Sequence, residues 1–188
     1  MKFTILIIFT IINLSYIKGS DESIIWSYLT GVVHLSEVGA ADLMGNLYAE
    51  SGMKSEYYDI AYHPQLGLTD SEYVEQVNSG QYTEEQFVND NIGFGLAQWK
   101  DKTRKQGLYE HCKGMIGNPI CQLRYIYTEL KSNPDYKEIY DCLKRKSNFP
   151  QCTYNVMLSY FMEEDIEEAV RRNDFALEYY ARYRSKGK

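Results

Sequence analysis

Residues 36–52 constrain the fold more than any other stretch, because their pattern predicts one capped amphipathic helix that ends on an acid. Ser36 is a favourable N-cap, Glu37 places a negative charge in the first turn, and Gly52 is a favourable C-terminal stop. A helical period puts the apolar side chains on one face: Ala40, Leu43, Met44, Leu47 and Tyr48. This helix therefore needs a core to pack against.

Glu50 lies in the last turn of the predicted helix, on the flank of its apolar face. Apolar surroundings and the negative end of the helix dipole both disfavour an ionised carboxyl. We therefore expect the pKa of Glu50 to be raised, as a general acid working near neutral pH requires. The alternative is a solvated glutamate at a helix end.

Residues 1–19 have the pattern of a secretory signal peptide: an early lysine, an apolar run and a final small residue. A retained N-terminal anchor is the alternative. No later segment is apolar enough to cross a bilayer, so we expect no stable membrane association after removal of the signal peptide. Residues 20–188 are long enough for one domain with its own core, which we place at about residues 22–184.

The net charge excludes one class of partner. The chain has a formal charge of −6, and residues 1–19 contribute two lysines and no acid, so their removal gives −8. A nucleic-acid-binding protein needs a basic face. We therefore expect no nucleic-acid partner.

Four cysteines lie in the C-terminal half: Cys112, Cys121, Cys142 and Cys152. In a secreted chain an even number indicates two disulfides, and three pairings are possible. Short loops favour Cys112 with Cys121 and Cys142 with Cys152. A metal site is the alternative, but the chain has no CxxC and only His111 lies near in sequence, so we expect no metal.

The remaining periodic segments predict a mainly helical domain. Further helices are expected at residues 23–33, 101–112, 121–130, 135–143, 152–162 and 166–184. In the second of these, the period places Lys105 on the solvent side.

Two segments between residues 53 and 99 lack this long helical period. Residues 53–91 are polar and rich in tyrosine, and we expect them to be irregular and to lie over one side of a cleft. Thr69 and Thr83 are nevertheless suited to cap two short helices there. Residues 92–99, IGFGLAQW, predict a short strand or an extended turn.

The chemistry depends on two motifs that must meet in space. They are Glu50–Ser51–Gly52 and the later segment Gly93-Phe94-Gly95-Leu96-Ala97-Gln98-Trp99. A helix-terminal E-S followed by G-x-G-L-x-Q resembles the lysozyme superfamily, as in goose-type lysozymes and lytic transglycosylases. The sequence is most similar to the phage-tail lysozyme domain family at residues 43–52, 69–82 and 87–99, with Arg104–Lys105 following. The resemblance covers about residues 22–184.

This resemblance implies a mainly α, lysozyme-like α+β fold: a helical core, a small irregular or β lobe and a cleft between them. It also implies a muramidase, which hydrolyses the β-1,4 bond between the amino sugars of bacterial peptidoglycan, with Glu50 as the catalytic acid. Gln98 and Ser51 would bind the sugar, and Gly93 and Gly95 would let the backbone approach it. No cofactor is implied, and we expect a monomer whose partner is peptidoglycan.

Several residues are candidates for the second catalytic carboxylate. An inverting glycosidase needs a base about 6.5–9.5 Å from the acid, and a retaining one needs its partner nearer. Asp90 is the preferred base because the phage-tail pattern also has an acid there; Asp101 is the alternative, or else a helix cap, and Asp59 and Asp70 are outside candidates. Without a second acid, the enzyme would be a lytic transglycosylase, in which the sugar's own 6-hydroxyl attacks. The remaining alternative is a non-catalytic wall-binding protein.

The predicted signal peptide and disulfides indicate an exported enzyme. We expect it to be secreted or to act in a phagosomal or lysosomal lumen, where it would digest bacteria or defend against them. The acidic charge favours an acidic compartment, because protonation of carboxylates reduces repulsion from an anionic wall.

Overall fold

A computed structural model describes residues 22–145 and 151–184, and the predicted signal peptide lies outside these residues. The described chain is mainly helical. Its α-helices are α1 (Glu22–Gly31), α2 (Glu37–Ser51), α3 (His63–Leu66), α4 (Asp70–Ser79), α5 (Glu84–Asn89), α6 (Lys102–His111), α7 (Pro119–Ser132), α8 (Lys137–Lys144), α9 (Gln151–Val156) and α10 (Ile166–Tyr183). A π-helical turn, Met157–Phe161, extends α9, and short 3-10 turns precede α3 and α8.

The central helix is α2, and its predicted ends are confirmed. The hydroxyl of Ser36 accepts a hydrogen bond from the N–H of Gly39 at 2.9 Å. Gly52 adopts the left-handed conformation with φ 59°, and its N–H donates to the carbonyl of Tyr48. Residues 39–47 of α2 are all buried, because other helices cover this helix on several sides.

The last helix, α10, packs directly along α2. The two backbones lie close together at Gly45, where a Cβ would lie 2.6 Å from the carbonyl oxygen of Arg172 and 2.7 Å from the N of Ala176. Only a residue without a side chain fits between the two backbones. Gly45 therefore fixes the position of α10 against α2.

The segment between α2 and α6 is more regular than we expected. Thr69 and Thr83 each begin a helix with a complete capping box, so the two short helices predicted from these residues are present as α4 and α5. Two of its tyrosines, Tyr58 and Tyr73, are buried and stack with ring centroids 4.8 Å apart. The expectation of a wholly irregular segment was wrong, because local caps and aromatic packing order it.

Residues 92–99 form a tight turn in place of the strand that we considered. Phe94 makes isolated antiparallel bridges with Tyr58 and with Trp99, and the turn does not join a longer sheet. Trp99 is buried in the core, and its indole N–H donates to the carboxylate of Glu129 at 3.0 Å.

The two disulfides pair the cysteines as the short loops favoured. Cys112 is bonded to Cys121 and Cys142 to Cys152, with Cα atoms 5.8 and 5.9 Å apart. Across residues 22–145 and 151–184, no helix combines the length and apolar character that a membrane span requires.

Candidate functional site

Glu50 lies in the last turn of α2, next to Arg172 of α10. Its side chain is 19% exposed, so the carboxyl is neither sealed in the core nor free in solvent. The guanidinium of Arg172 donates from one terminal nitrogen to Oε1 of Glu50 at 2.6 Å. Within the described part of the chain, no donor binds Oε2. One oxygen is thus held by the protein and the other is available.

The pKa of Glu50 is raised, as the sequence led us to expect. Burial is the largest cause, since it disfavours the ionised form. The positive charge of Arg172 opposes this effect, while the negative charges of Glu168 and Glu163 add to it. Burial and the two acids therefore outweigh the ion pair, and the carboxyl holds its proton to a higher pH than an ordinary glutamate.

The two predicted motifs do meet at the end of α2. The hydroxyl of Ser51 is buried and donates to the carbonyl of Leu96 at 3.1 Å, which joins α2 to the glycine-containing turn. The N–H of Gly95 donates to the carbonyl of Tyr57 at 2.7 Å. The chain leaving α2 therefore runs alongside residues 92–99, and Ser51 serves as an internal bridge between the two motifs.

Gln98 forms its hydrogen bonds within the turn. Its Nε2 donates to the carbonyls of Gly95 at 2.9 Å and Tyr57 at 3.3 Å, and its backbone has φ 47°. A Cβ on Gly93 would lie 2.8 Å from Oε1 of Gln98. The absence of a side chain at Gly93 therefore makes room for Gln98 itself, a reason that differs from the sugar contact we expected.

A buried glutamine that the sequence analysis missed supports this turn. Gln122 of α7 accepts from the N–H of Leu96 at 2.8 Å and donates to the carbonyls of Ser55 and Ile116 at 2.7 and 2.6 Å. A Cβ on Gly95 would lie 2.7 Å from its side chain, and Gly95 has φ 73°. Gly95 thus meets two internal requirements, a left-handed backbone and close approach to Gln122. No sequence pattern distinguishes Gln122 from other polar residues in α7.

Asp90, the preferred base, is buried among donors. The hydroxyls of Tyr73 and Tyr82 donate to Oδ2 at 2.6 and 3.3 Å, while Lys105 and the N–H of Ile92 donate to Oδ1. These four donors match the roughly four lone-pair sites of a carboxylate. No site is left to activate a water, so the contacts favour a structural role and disfavour the base role of Asp90.

Lys105, which we expected on the solvent side, is fully buried. It forms an ion pair with Asp90, and burial lowers its pKa to about 8, although the carboxylate opposes this shift. The solvent-side prediction for Lys105 was wrong because a buried acid on the neighbouring segment provides a charge partner that the helical period cannot reveal.

The other sequence candidates for a second carboxylate also have local partners. Asp101 caps α6 by accepting from the N–H groups of Thr103 and Arg104. Asp59 accepts from the N–H of Ala61, and Asp70 lies 3.3 Å from the ring of His63. Asp101 therefore has the capping role that we considered as its alternative.

Arg172 is the second residue of this site that was not predicted from the sequence. A signal was present: Arg172, Ala176 and Tyr179 form the buried face of α10, so one charged residue lies on a stripe that a helix normally keeps apolar. A charged side chain on a buried face needs a partner of opposite charge. That partner is Glu50 together with Glu168.

The helical architecture and the helix-terminal glutamate beside a glycine turn are consistent with a mainly α, lysozyme-like domain. The chain matches the model of the phage tail lysozyme family over residues 20–183. The chain therefore belongs to this family, and membership implies a peptidoglycan-cleaving enzyme. No curated protein and no solved structure gives a significant match to the chain.

Proposed function

We propose that the protein is an exported muramidase in which Glu50 is the general acid. The observation that carries the proposal is the state of the Glu50 carboxyl: half-buried, with a raised pKa and with Oε2 unbound by the described residues. Such a group is protonated to a higher pH than usual and presents an oxygen to a ligand. In this proposal the glycan strand lies in a cleft between the end of α2 and the segment of residues 53–99.

In this mechanism Glu50 donates its proton to the oxygen of the β-1,4 glycosidic bond as that bond breaks. A positioned acid of this kind contributes about 10²–10⁴-fold to the rate. Gln98 contributes Oε1, which accepts no bond from the described residues, as an acceptor for a sugar hydroxyl or amide. Ser51, Gly93 and Gly95 contribute by holding the turn in place next to the acid.

The replacement Glu50→Gln tests the proposal. The variant keeps the size of the side chain and removes the proton donor, so lytic activity on purified peptidoglycan should fall by about 10²–10⁴-fold. Its circular dichroism and melting curve should remain those of a folded protein. Glu75→Gln, at an exposed site on α4, is the matched control and should retain activity. Full activity of folded Glu50→Gln would exclude Glu50 as the acid.

One observation favours a second function, lytic transglycosylation. The four aspartates that the sequence offered as bases all have structural partners, and a transglycosylase needs no base for water because the 6-hydroxyl of the sugar attacks. Mass spectrometry of digested peptidoglycan separates the two reactions. Reducing ends support the muramidase, whereas 1,6-anhydro ends support the transglycosylase.

We also propose that the enzyme works outside the cytoplasm, in secretions or in a phagosomal or lysosomal lumen. The pattern of residues 1–19 and the two disulfides support this location, because disulfides persist in oxidising compartments. Fractionation of the cells that make the protein, with detection of the processed N-terminus, tests it. Detection of the unprocessed chain in the cytosol alone would contradict it.

A further inference from the structure

The ion pair between Glu50 and Arg172 poses a physical problem for an acid catalyst. A guanidinium at hydrogen-bond distance favours the ionised carboxylate, whereas a general acid must carry a proton. The arginine side chain is only 4% exposed, so its charge is weakly screened by solvent. Because Arg172 disfavours the protonated form of Glu50 at such close range, we expect a second effect of Arg172 that favours the reaction.

The geometry of the arginine indicates what that role is. Its three nitrogens are directed to three different partners: Nε to Glu168 at 3.1 Å, one terminal nitrogen to Asn46 at 3.3 Å and the other to Glu50 at 2.6 Å. A planar guanidinium with several bonds cannot rotate without breaking them. The orientation of Glu50 is therefore fixed by α10, which lies at the opposite end of the sequence.

We propose that Arg172 is a positioning residue: it holds Oε1 of Glu50 and thereby directs Oε2, as the proton-bearing oxygen, toward the glycosidic bond. The inference rests on the proposed function, since it assigns a task to a neighbour of the acid. The proton moves from Oε2 to the leaving oxygen, and the carboxylate that remains is stabilised by the guanidinium already bound to Oε1. The guanidinium of Arg172 therefore stabilises Glu50 most strongly after the proton has left.

The charges around Glu50 fit this arrangement. Glu168 shares the guanidinium with Glu50, and Glu163 adds a second negative charge from the segment before α10. Arg171 also acts on Glu50 electrostatically, but its side chain is 57% exposed and its hydrogen bond goes to Glu168. The buried guanidinium is therefore balanced by two acids, so Glu50 can retain its proton beside a permanent cation.

The test compares two arginines that are adjacent in sequence. Arg172→Gln removes the contact with Glu50, and Arg171→Gln removes a neighbouring charge without touching Glu50. Four quantities are measured on each full-length protein: kcat and KM on peptidoglycan across pH, the Glu50 pKa by carbon NMR, and the melting temperature. The Glu50→Gln protein assigns the NMR signal.

In Arg172→Gln, the Glu50 pKa and the alkaline limb of the pH profile should both rise by about one to three units, because an opposite charge has been removed. The kcat should fall by about 10- to 100-fold with little change in KM, because the acid is no longer oriented. In Arg171→Gln the Glu50 pKa, the alkaline limb and kcat should stay near those of the unmodified protein, because an exposed charge is screened.

A second variant keeps the inference testable if Arg172→Gln does not fold. Arg172→Lys retains the charge but presents a single nitrogen in place of a fork. It should lower kcat while leaving the alkaline limb nearly in place. Unchanged kcat in either folded Arg172 variant, or an equal effect of Arg171→Gln, would overturn the positioning role. The NMR titration does not depend on turnover, so it tests the contact between Arg172 and Glu50 even in an inactive protein. The Glu50→Gln variant separately tests whether Glu50 is the acid.

Discussion

Asp42 gives the sharpest prediction about stability, because it is a fully buried acid without a cation. It lies on α2, and its Oδ1 accepts a hydrogen bond from the hydroxyl of Thr153 on α9. Its Oδ2 is buried and has no partner among the described residues. Burial raises the pKa of Asp42 from 3.8 to about 7, although the bond from Thr153 opposes the shift. The folded protein therefore favours the protonated form.

The raised pKa of Asp42 determines how the stability of the protein changes with pH. A carboxyl with a raised pKa in the folded state stabilises the fold at low pH, and this contribution is lost as pH rises from about 4 to about 7. One pKa unit corresponds to about 1.4 kcal/mol, so Asp42 alone should lower the free energy of unfolding by about 2 kcal/mol between pH 5 and pH 7. Asp42 therefore favours the folded state more strongly in an acidic compartment, such as the phagosomal or lysosomal lumen that is one of the proposed locations.

The variant Asp42→Asn removes this titration. At pH 7 it should be more stable than the unmodified protein by about 2 kcal/mol. Removal of the buried charge stabilises the fold, and an amide N–H left without a hydrogen bond offsets part of this gain. Near pH 4 the gain should vanish or reverse. Urea unfolding followed by circular dichroism at several pH values measures the difference, and Asp174→Asn, at an exposed site on α10, is the control. A difference between Asp42→Asn and the unmodified protein that stays constant from pH 5 to pH 7 would refute the reasoning.

Two further predictions concern packing and the buried ion pair. Asp90→Asn should lower the free energy of unfolding by about 3–5 kcal/mol, because it leaves the buried Lys105 without its charge partner. Urea titration measures this loss, and a variant of normal stability but low activity would instead support Asp90 as a base. Gly45→Ala should cost about 1–3 kcal/mol because a Cβ there meets the backbone of α10. Gly31→Ala, which has open space around it, should be close to neutral when both glycine variants are compared by urea titration.

The sequence predicted the helices well because their signals are local. The caps of α2, α4 and α5 are formed by residues within a few positions of the helix start, and apolar periodicity located the longer helices. The disulfide pairing followed from short loops for the same reason. Where one residue and its near neighbours decide a structure, a single sequence is sufficient.

The site was predicted in part, because several of its contacts join distant segments. Glu50 and the glycine turn were found as motifs, and the structure brings them together through Ser51. Arg172 lies 122 positions from Glu50, and Gln122 lies 26 positions from Leu96, so no local pattern reveals either contact. The role of Asp90 was also ambiguous, since its four donors come from several elements of the fold.

The contact between α2 and α10 also bears on the stage of synthesis at which the protein can reach full activity. Glu50 precedes Arg172 by 122 positions, so the acid leaves the ribosome well before the helix that carries its partner. A nascent or truncated chain that stops before α10 therefore contains Glu50 without its guanidinium partner. With the positioning role that we propose for Arg172, the full catalytic rate would be reached only after α10 has packed on α2.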